Sequence, residues 1–426
     1  MDLLLKTAQL SGTVPVPASK SVAHRAYICA ALAADSTDII CNSDSVDILA
    51  TRACLSRLLA AGQPEDTDDI ILDCKESGST LRFLLPLACV FSHRLRRPIQ
   101  FTGADYLAKR PLSPLVEELR AHGANISAPG TFPLIVSGEL TSGVYTLPGN
   151  ISSQYISGLL MALPLLSGNS EIHITGTRES VSYIGLTLAM QHEFHISIQD
   201  TSYGYFIPGG QTYCSPGTLT IEADWSSAAF WLAAGAIGPT APVLTGLSPD
   251  SAQGDRAILR ILEDFGAVIR SDENGITIQK PTVLHGTTVD ASDVPDLVPV
   301  LAVVAAHAEG RTEFIHAGRL RIKESDRIVS TEELLQRLGV KTSSTEDSLI
   351  VYGTASVSDR SVTSVPVTVR SFNDHRIAMS AAIAATVSPV PVQLIQAEAV
   401  SKSYPTFYEH YKSLGGQAEP CTPERS

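Results

Sequence analysis

The chain has 426 residues, of which 44% are hydrophobic and 18% charged, and its formal net charge is −13. This length exceeds one ordinary hydrophobic core and predicts two or three domains, while the acidic balance argues against a broad nucleic-acid or anionic-membrane surface. Seven cysteines without a C-x-x-C pair predict neither a metal cluster nor a disulfide framework. Reduced thiols and the lack of a long apolar segment in MDLLLKTAQLSG predict a cytoplasmic protein.

Six stretches along the chain share one design, a polar or Gly-rich opening followed by a helix of mostly small apolar residues. Their marker residues recur every 58 to 78 positions: Ser21, Ser79, Ser153, Ser226, Asp296 and Asp374. Strand-like runs such as DDIILDC and second helices such as VDILATRACLSRLLAAG lie between them. This regularity predicts a repeated unit of helix, strand, helix, strand, strand, with three units before about Glu222 and three after it.

The six apolar helices open on Ser, Asp or Asn, which predicts side-chain capping of their N-termini. If the units are arranged alike, these N-termini converge on one side of each domain. Two such domains facing each other would form a positive cleft, and an anionic ligand there could draw the halves together.

Four motifs in the first half carry candidate binding residues. In PASKSVAHRAYI, Lys20 and Arg25 either capture a phosphate or carboxylate or lie on a solvated face. In ESGSTLR, Gly78 either lets a ligand approach the backbone or belongs to a helix cap. Arg110 precedes a proline in LAKRPLSPL, and residues 152–154 of GNISSQYISG offer hydrogen bonds at a helix start or cap that helix.

The motif RLRIKESDR combines both charge signs at high density. Lys323 and Arg327 would share a face if this segment were helical. The motif follows the strand-like TEFIHAG, which is where α/β proteins place ligands, so it predicts a site rather than a solvated face.

The motif SFNDHRIAMSAAIAA places Arg376 in the first turn of an apolar helix, where the helix dipole disfavours a cation. An anion bound at this N-terminus would explain the arginine. We expect Asp374 to cap or orient the helix. The last motif, VSKSYP, contributes Lys402.

These seven motifs, in this order, resemble those of the 5-enolpyruvylshikimate-3-phosphate (EPSP) synthase family over essentially the whole chain. The resemblance implies an α/β (α+β) fold of two similar domains, each built of three βαβαββ units as an inside-out α/β barrel, with the active site in the interdomain cleft. It implies a discontinuous first domain, 1–17 with 222–426, and a second domain, 18–221.

The implied reaction transfers the enolpyruvyl group of phosphoenolpyruvate to the 5-hydroxyl of shikimate 3-phosphate and releases phosphate through a tetrahedral intermediate. The family roles place shikimate 3-phosphate on Lys20, Ser21, Arg25, Ser152, Ser153, Gln154, Ser180, Tyr183, Asp296 and Lys323. They place phosphoenolpyruvate on Lys20, Gly78, Arg110, Gln154, Arg327, Arg376 and Lys402. Forked arginine groups suit its planar carboxylate and its phosphate.

The resemblance also assigns the catalytic groups. Asp296 is expected to be the base on the hydroxyl side and Glu324 the acid on the methylene side, with Lys20 as a relay. No metal and no organic cofactor is expected, because the cations supply the electrostatic stabilisation. We expect small anionic substrates as the partners, no nucleic acid or membrane, and a monomer.

Two alternatives remain at this point. The related enolpyruvyl transferase that acts on UDP-N-acetylglucosamine carries Asn after the first Lys and a Cys near Arg110, whereas here Ser21 follows Lys20 and no Cys lies between Cys89 and Cys214. A non-catalytic anion-binding protein of the same fold should have lost some of the charged residues, and all are present. The chain departs from the commoner family pattern at Glu76, Ser77 and Ser79, at Val181-Ser182 and at Arg319. Arg319 is therefore not assigned a role.

Overall fold

The computed structural model describes residues 1–63, 65–279, 283–354 and 365–421. The chain divides into two compact units. Unit 1 is Met1–Ser19 with Glu222–Ser426, and unit 2 is Lys20–Ile221. That the folding domains run over 1–17 with 222–426 and over 18–221 stays a prediction.

The helices of unit 2 precede those of unit 1 along the chain. In unit 2 they are α1 Lys20–Leu32, α2 Val46–Ala60, α3 Gly78–Leu95, α4 Asp105–Ala108, α5 Leu115–Ala121, α6 Ser153–Ala162 and α7 Val181–Glu193. In unit 1 they are α8 Trp225–Ile237, α9 Ile258–Asp264, α10 Val298–Ala306, α11 Arg327–Arg337, α12 His375–Thr386 and α13 Phe407–Ser413.

The strands are short, with three to six residues each. Unit 1 begins with β1 Asp2–Lys6 and β2 Thr13–Pro15. Unit 2 contains β3 Asp38–Ile40, β4 Ile70–Asp73, β5 Ile99–Thr102, β6 Ala124–Ile126, β7 Leu134–Gly138, β8 Val144–Pro148, β9 Ser170–Thr175, β10 Gln199–Thr201, β11 Gly204–Ile207 and β12 Thr218–Thr220. Unit 1 resumes with β13 Val243–Thr245, β14 Val268–Asp272, β15 Gly275–Gln279, β16 Thr288–Asp290, β17 Gly310–Ile315, β18 Lys341–Ser344, β19 Leu349–Gly353, β20 Val367–Arg370, β21 Val392–Ile395 and β22 Gln417–Cys421.

The described strands form six sheets, three in each unit, and the sheets repeat one pattern. In the four-stranded sheet β4-β5-β7-β6, β4 and β5 are parallel and the other two pairings are antiparallel. Four further sheets, β8-β9-β11-β10, β2-β13-β15-β14, β16-β17-β19-β18 and β20-β21-β1-β22, have the same sequence of pairings. The sixth sheet is the parallel pair β3-β12. The repetition predicted from the sequence is therefore confirmed as a repeated sheet topology.

The six apolar helices predicted at the markers are all present, as α1, α3, α6, α8, α10 and α12. Every residue of α8 and α10 is buried, because these helices lie inside the core of unit 1 rather than on its surface. In unit 2, α3 packs so closely on α6 that a Cβ on Gly158 would lie 2.6 Å from the Arg82 carbonyl oxygen. Small residues are thus required at these helix contacts.

Several short elements were not predicted, helices α4 and α13 and strands β1, β2, β3, β6, β8, β11, β16, β18 and β22. Helix α13 was missed because its sequence, FYEHYKS, lacks the small apolar residues of the others. Strand β1 was missed because its partners are remote in sequence: it lies between β21 and β22, at the other end of the chain. Among the described residues, no helix is long and apolar enough to cross a membrane.

The predicted capping of the apolar helices is confirmed at four of them and wrong at α10. Ser77, Ser152, Asp224 and Asp374 cap α3, α6, α8 and α12 through backbone N–H groups. The residue before α10 is Leu297, which provides no side-chain cap. The carboxylate of the preceding residue, Asp296, instead accepts from Arg327 and Arg376. These arginines lie in the first turns of α11 and α12, so the starts of α10, α11 and α12 share a charged cluster.

Candidate active site

In unit 1, the Arg327 guanidinium contacts three carboxylates. It is 1% exposed and begins α11, whose N-cap residue Asp326 accepts from the Val329 amide at 3.1 Å. Its Nε donates to Asp374 Oδ2 at 2.8 Å, Nη1 to Asp296 Oδ1 at 2.7 Å and Nη2 to Glu324 Oε2 at 2.7 Å. These carboxylates and the burial together fix the plane of the guanidinium.

Asp374 links Arg327 to the start of α12. One of its oxygens accepts from the Arg376 amide at 2.9 Å, so it caps the helix as predicted. The Arg376 side chain donates from Nη2 to Asp296 Oδ2 at 3.1 Å and from Nη1 to the Ser226 carbonyl at 3.1 Å. The unfavourable cation at this helix N-terminus is thus balanced by carboxylates of its own unit.

Asp296 is shared by the two arginines, one on each oxygen. Lys323 Nζ lies 3.9 Å from Oδ1. Burial favours the neutral acid, but the charges of Arg376, Arg327 and Lys323 outweigh it and hold the pKa of Asp296 well below its usual value. Asp296 is therefore a carboxylate at neutral pH, in the state that a base requires.

The two lysines of this cluster have different surroundings. Burial lowers the pKa of Lys323 to about 8, although Asp296 opposes this shift. Lys323 precedes α11, so the condition for a helical face shared with Arg327 is not met. The Lys402 ammonium is buried and donates to the Asn373 carbonyl at 2.6 Å. Asn373 has φ of 54°, a left-handed conformation that turns the chain into α12.

In unit 2, α1 presents two cations with different partners. Lys20 Nζ pairs with Asp47 Oδ2 at 2.9 Å. Arg25 donates to neutral oxygens, from Nε to Thr187 Oγ1 at 2.7 Å and from the two Nη atoms to the Ser21 and Tyr183 carbonyls at 2.6 and 2.8 Å. Burial lowers the pKa of Arg25 to about 10, so the group remains a cation at neutral pH.

Gln154, at the start of α6, is held at both ends of its amide. Its Oε1 accepts from Arg82 Nη1 at 2.9 Å and its Nε2 donates to Ser79 Oγ at 2.9 Å. The preceding Ser152 caps α6 through the Gln154 amide at 3.3 Å. Ser180 precedes α7 in a left-handed conformation with φ of 51° and is buried. These hydroxyls lie at helix N-termini, where a phosphate group is favoured.

Gly78 and Arg110 are brought together in unit 2. A Cβ on Gly78 would lie 2.5 Å from Arg110 Nη1, so a residue with a side chain would displace the guanidinium. The close approach expected of Gly78 is thus made by an arginine of the chain itself.

The predicted site residues fall into two groups. Unit 1 holds Asp296, Lys323, Glu324, Arg327, Arg376 and Lys402, and unit 2 holds Lys20, Ser21, Arg25, Gly78, Arg110, Ser152, Ser153, Gln154, Ser180 and Tyr183. Two residues of these surroundings were not singled out from the sequence: Asp47, which pairs with Lys20, and Asp255, which accepts from the Ser226 hydroxyl. Ser226 was noted only as the start of an apolar helix, and its carbonyl accepts from Arg376. Arg82 was visible one turn after Gly78, but its bond to Gln154 depends on a contact between two helices.

Among the described residues, no group of three or more His, Cys, Asp or Glu side chains is arranged to hold a metal ion. The carboxylates of Asp296, Glu324 and Asp374 each pair with a guanidinium group instead.

Comparison with known proteins identifies the family. A family model described as EPSP synthase (3-phosphoshikimate 1-carboxyvinyltransferase) matches residues 4–411. The chain is 40% identical over 429 residues to the 3-phosphoshikimate 1-carboxyvinyltransferase of Clostridium kluyveri, with 97% of each chain covered. An EPSP synthase structure from Acinetobacter baumannii matches with a TM-score of 0.77 and 26% identity, covering 99% of this chain and 100% of that one.

A further solved structure, the enolpyruvyl transferase NikO from Streptomyces tendae, shares the fold at 18% identity. Its TM-score is 0.74, and 98% of this chain and 99% of that chain are covered. Because the family model spans residues 4–411 and the Clostridium kluyveri relative is 40% identical over 97% of this chain, the chain belongs to the EPSP synthase family.

Proposed function

We propose that this chain transfers the enolpyruvyl group of phosphoenolpyruvate to the 5-hydroxyl of shikimate 3-phosphate and releases phosphate. The observation that carries the proposal is the match of the family model over residues 4–411. The charged cluster of unit 1 supports it, because it combines an ionised acid, Asp296, with two arginines suited to a planar dianion. The chain is then a transferase of the shikimate pathway.

The reaction adds the 5-hydroxyl oxygen to C2 of phosphoenolpyruvate while C3 gains a proton. The resulting tetrahedral intermediate expels phosphate and loses a proton from C3, which restores the double bond. Asp296 takes the hydroxyl proton in the addition and returns it to the departing phosphate in the elimination. Glu324 donates the proton to C3 and later recovers it. Lys20 relays protons.

The low pKa of Asp296 limits its strength as a base while Arg327 and Arg376 are bound to it. When the anionic substrate takes over these arginines, the Asp296 carboxylate loses stabilising charge and its pKa rises. Binding of phosphoenolpyruvate therefore activates the base that the next step needs. Glu324 accepts from Arg327 Nη2, so it too gives up an arginine partner when the substrate binds.

The remaining predicted residues bind the two substrates. Phosphoenolpyruvate is held by Arg327, Arg376 and Lys402 of unit 1 and by Lys20, Gly78, Arg110 and Gln154 of unit 2. Shikimate 3-phosphate is held by Lys20, Ser21, Arg25, Ser152, Ser153, Gln154, Ser180, Tyr183, Asp296 and Lys323. Ser152 and Ser180, at the starts of α6 and α7, suit the phosphate of this substrate, because hydroxyls and helix N-terminal amides can donate hydrogen bonds to it.

The proposal extends to the state of the protein in the cell. We place it in the cytoplasm as a monomer. The net charge of −13 supports the expectation that it binds no nucleic acid. Light scattering coupled to gel filtration would test the monomer, because a dimer would double the mass of 45.3 kDa.

A coupled assay tests the activity. The protein is mixed with phosphoenolpyruvate and shikimate 3-phosphate, and phosphate release is followed with and without the acceptor. We expect release only with shikimate 3-phosphate. Release with UDP-N-acetylglucosamine instead would assign the chain to the other enolpyruvyl transferase, and no release with either acceptor would support a non-catalytic anion-binding protein.

A further inference from the structure

Asp255 is a buried acid of unit 1 that the proposed mechanism does not use. It is 2% exposed and lies in a 3₁₀ helix, Gly254–Ala257, directly before α9. A buried carboxylate costs free energy unless its surroundings use the charge or the hydrogen bonds. The contacts of Asp255 indicate what this one is used for.

The Asp255 segment is attached to the first turn of α8. The Ser226 hydroxyl donates to Asp255 Oδ2. Two residues earlier, Gln253 Oε1 accepts from the Trp225 amide at 3.1 Å, and Gln253 Nε2 donates to the Ala223 carbonyl at 2.8 Å. These three hydrogen bonds together fix the position of the N-terminus of α8.

The same turn of α8 holds the side chain of Arg376. The Ser226 carbonyl accepts from Arg376 Nη1 at 3.1 Å, and one turn later the Phe230 ring lies 5.9 Å from the guanidinium carbon. Ser226 thus donates to Asp255 with its hydroxyl and binds Arg376 with its carbonyl. A shift of this serine would move the arginine.

The electrostatics agree with this arrangement. Asp296 and Asp255 both raise the pKa of Arg376, against the effect of burial. Burial and the charge of Asp296 raise the pKa of Asp255 to about 7. The Ser226 carbonyl and Asp296 together occupy one donor on each Nη of Arg376. Its buried Nε has no hydrogen-bond partner among the described residues.

We propose that Asp255 is a positioning residue, which fixes the Arg376 guanidinium through Ser226 so that its remaining donors can bind phosphoenolpyruvate. This inference rests on the proposed function, since it takes Arg376 as a ligand of that substrate. Asp255 itself touches no substrate in this role.

The test compares Asp255→Ala, which removes the acceptor of the Ser226 hydroxyl, with Asp255→Asn, which keeps an acceptor oxygen. We expect Asp255→Ala to raise the KM for phosphoenolpyruvate about ten- to hundredfold, because a displaced guanidinium binds its anion poorly. The KM for shikimate 3-phosphate should change less than about threefold, and Asp255→Asn should restore the KM for phosphoenolpyruvate to within about threefold of wild type.

Two further variants complete the design. Ser226→Ala removes the hydroxyl and leaves the carbonyl in place, so it keeps the test open if Asp255→Ala does not fold, and it should raise the same KM. Asp264→Asn is the matched control, because Asp264 lies at the end of α9 with 47% of its side chain exposed and should have no effect on either KM.

The outcomes separate this inference from the proposed function. A wild-type protein without phosphate release would overturn the proposed function, and with it the role given to Arg376. An active wild type whose Asp255→Ala and Ser226→Ala variants change both KM values equally, or neither, would overturn the positioning role. An Asp255→Asn variant as impaired as Asp255→Ala would also overturn it, because the retained acceptor should suffice.

Discussion

The two units of this protein bury their arginines with different partners. In unit 1, Arg327 donates to three carboxylates, those of Asp296, Glu324 and Asp374. In unit 2, Arg25 is equally buried, but its hydrogen bonds within the described residues go to hydroxyl and carbonyl oxygens. The charge of Arg327 is compensated by the fold, whereas that of Arg25 is only solvated by dipoles.

Because of this difference, the two units should bind an anion in different ways. An anion that approaches Arg25 supplies a counter-charge that the fold leaves out, so its binding needs no exchange of partners. An anion that approaches Arg327 or Arg376 competes with Asp296, and the displaced carboxylate becomes a stronger base. We therefore expect unit 2 to hold a substrate tightly and unit 1 to couple binding to proton transfer.

The largest effect is expected from Asp296→Asn, which removes one carboxylate partner from Arg376 and one of the three from Arg327. The amide cannot take a proton, so kcat should fall about 10²–10⁴-fold. The KM for phosphoenolpyruvate should stay within about tenfold of wild type, since Arg327 and Arg376 lose a competing charge. Steady-state phosphate release measures both quantities.

Asp290→Asn is the control for this change, because Asp290 ends β16 with 55% of its side chain exposed and should leave turnover unchanged. Asp296 would be reassigned to substrate binding if its variant lost affinity but kept kcat.

The next effect concerns stability and compares Arg327→Met with Arg25→Met. Loss of Arg327 removes a buried cation from three acids, of which Asp296 keeps Arg376, and the free energy of unfolding should fall by about 3–5 kcal/mol. Loss of Arg25 should cost only about 1–2 kcal/mol, because Thr187 and the Tyr183 carbonyl keep a hydrogen bond to each other. Urea unfolding followed by circular dichroism gives both values.

Arg337→Met, at the exposed end of α11, is the control and should change stability by less than about 0.5 kcal/mol. Equal losses for Arg327→Met and Arg25→Met would show that charge compensation does not distinguish the two units. The Arg25→Met protein should also show a KM for shikimate 3-phosphate raised about tenfold or more, since a charged hydrogen bond is lost.

The smallest effect is a change in pH dependence. Lys323 of unit 1 has a pKa of about 8, so its charge is present below pH 8 and is lost as the pH rises through that value. In the wild type, kcat/KM for shikimate 3-phosphate should therefore decline above pH 8. Lys323→Arg stays charged, so its decline should begin at a higher pH whatever its absolute rate.

The matched control is Lys341→Arg, on the exposed face of β18, which should keep the wild-type profile. Identical alkaline limbs for wild type and Lys323→Arg would remove Lys323 from the binding of this substrate. Arg25, with a pKa of about 10, contributes no titration in the same range.

Much of the fold was readable from the sequence because it depends on neighbours along the chain. Runs of small apolar residues predicted all six buried helices, and Asp374 was expected to cap α12. The candidate site residues follow from the resemblance of seven ordered motifs, and their roles stay predictions. Strand β1 and helix α13 were not predicted, since the first pairs with the opposite end of the chain and the second lacks the repeated pattern.

The repeat, the six apolar helices and the family resemblance could all be predicted from the amino-acid sequence. The pairing of each acid with its cation, by contrast, depends on how the chain packs. Arg327 and Asp374 are 47 positions apart, and Ser226 and Asp255 are 29 apart. Caps and helices form from residues within a turn or two, whereas a buried ion pair forms only where packing brings two remote helix starts together and excludes water.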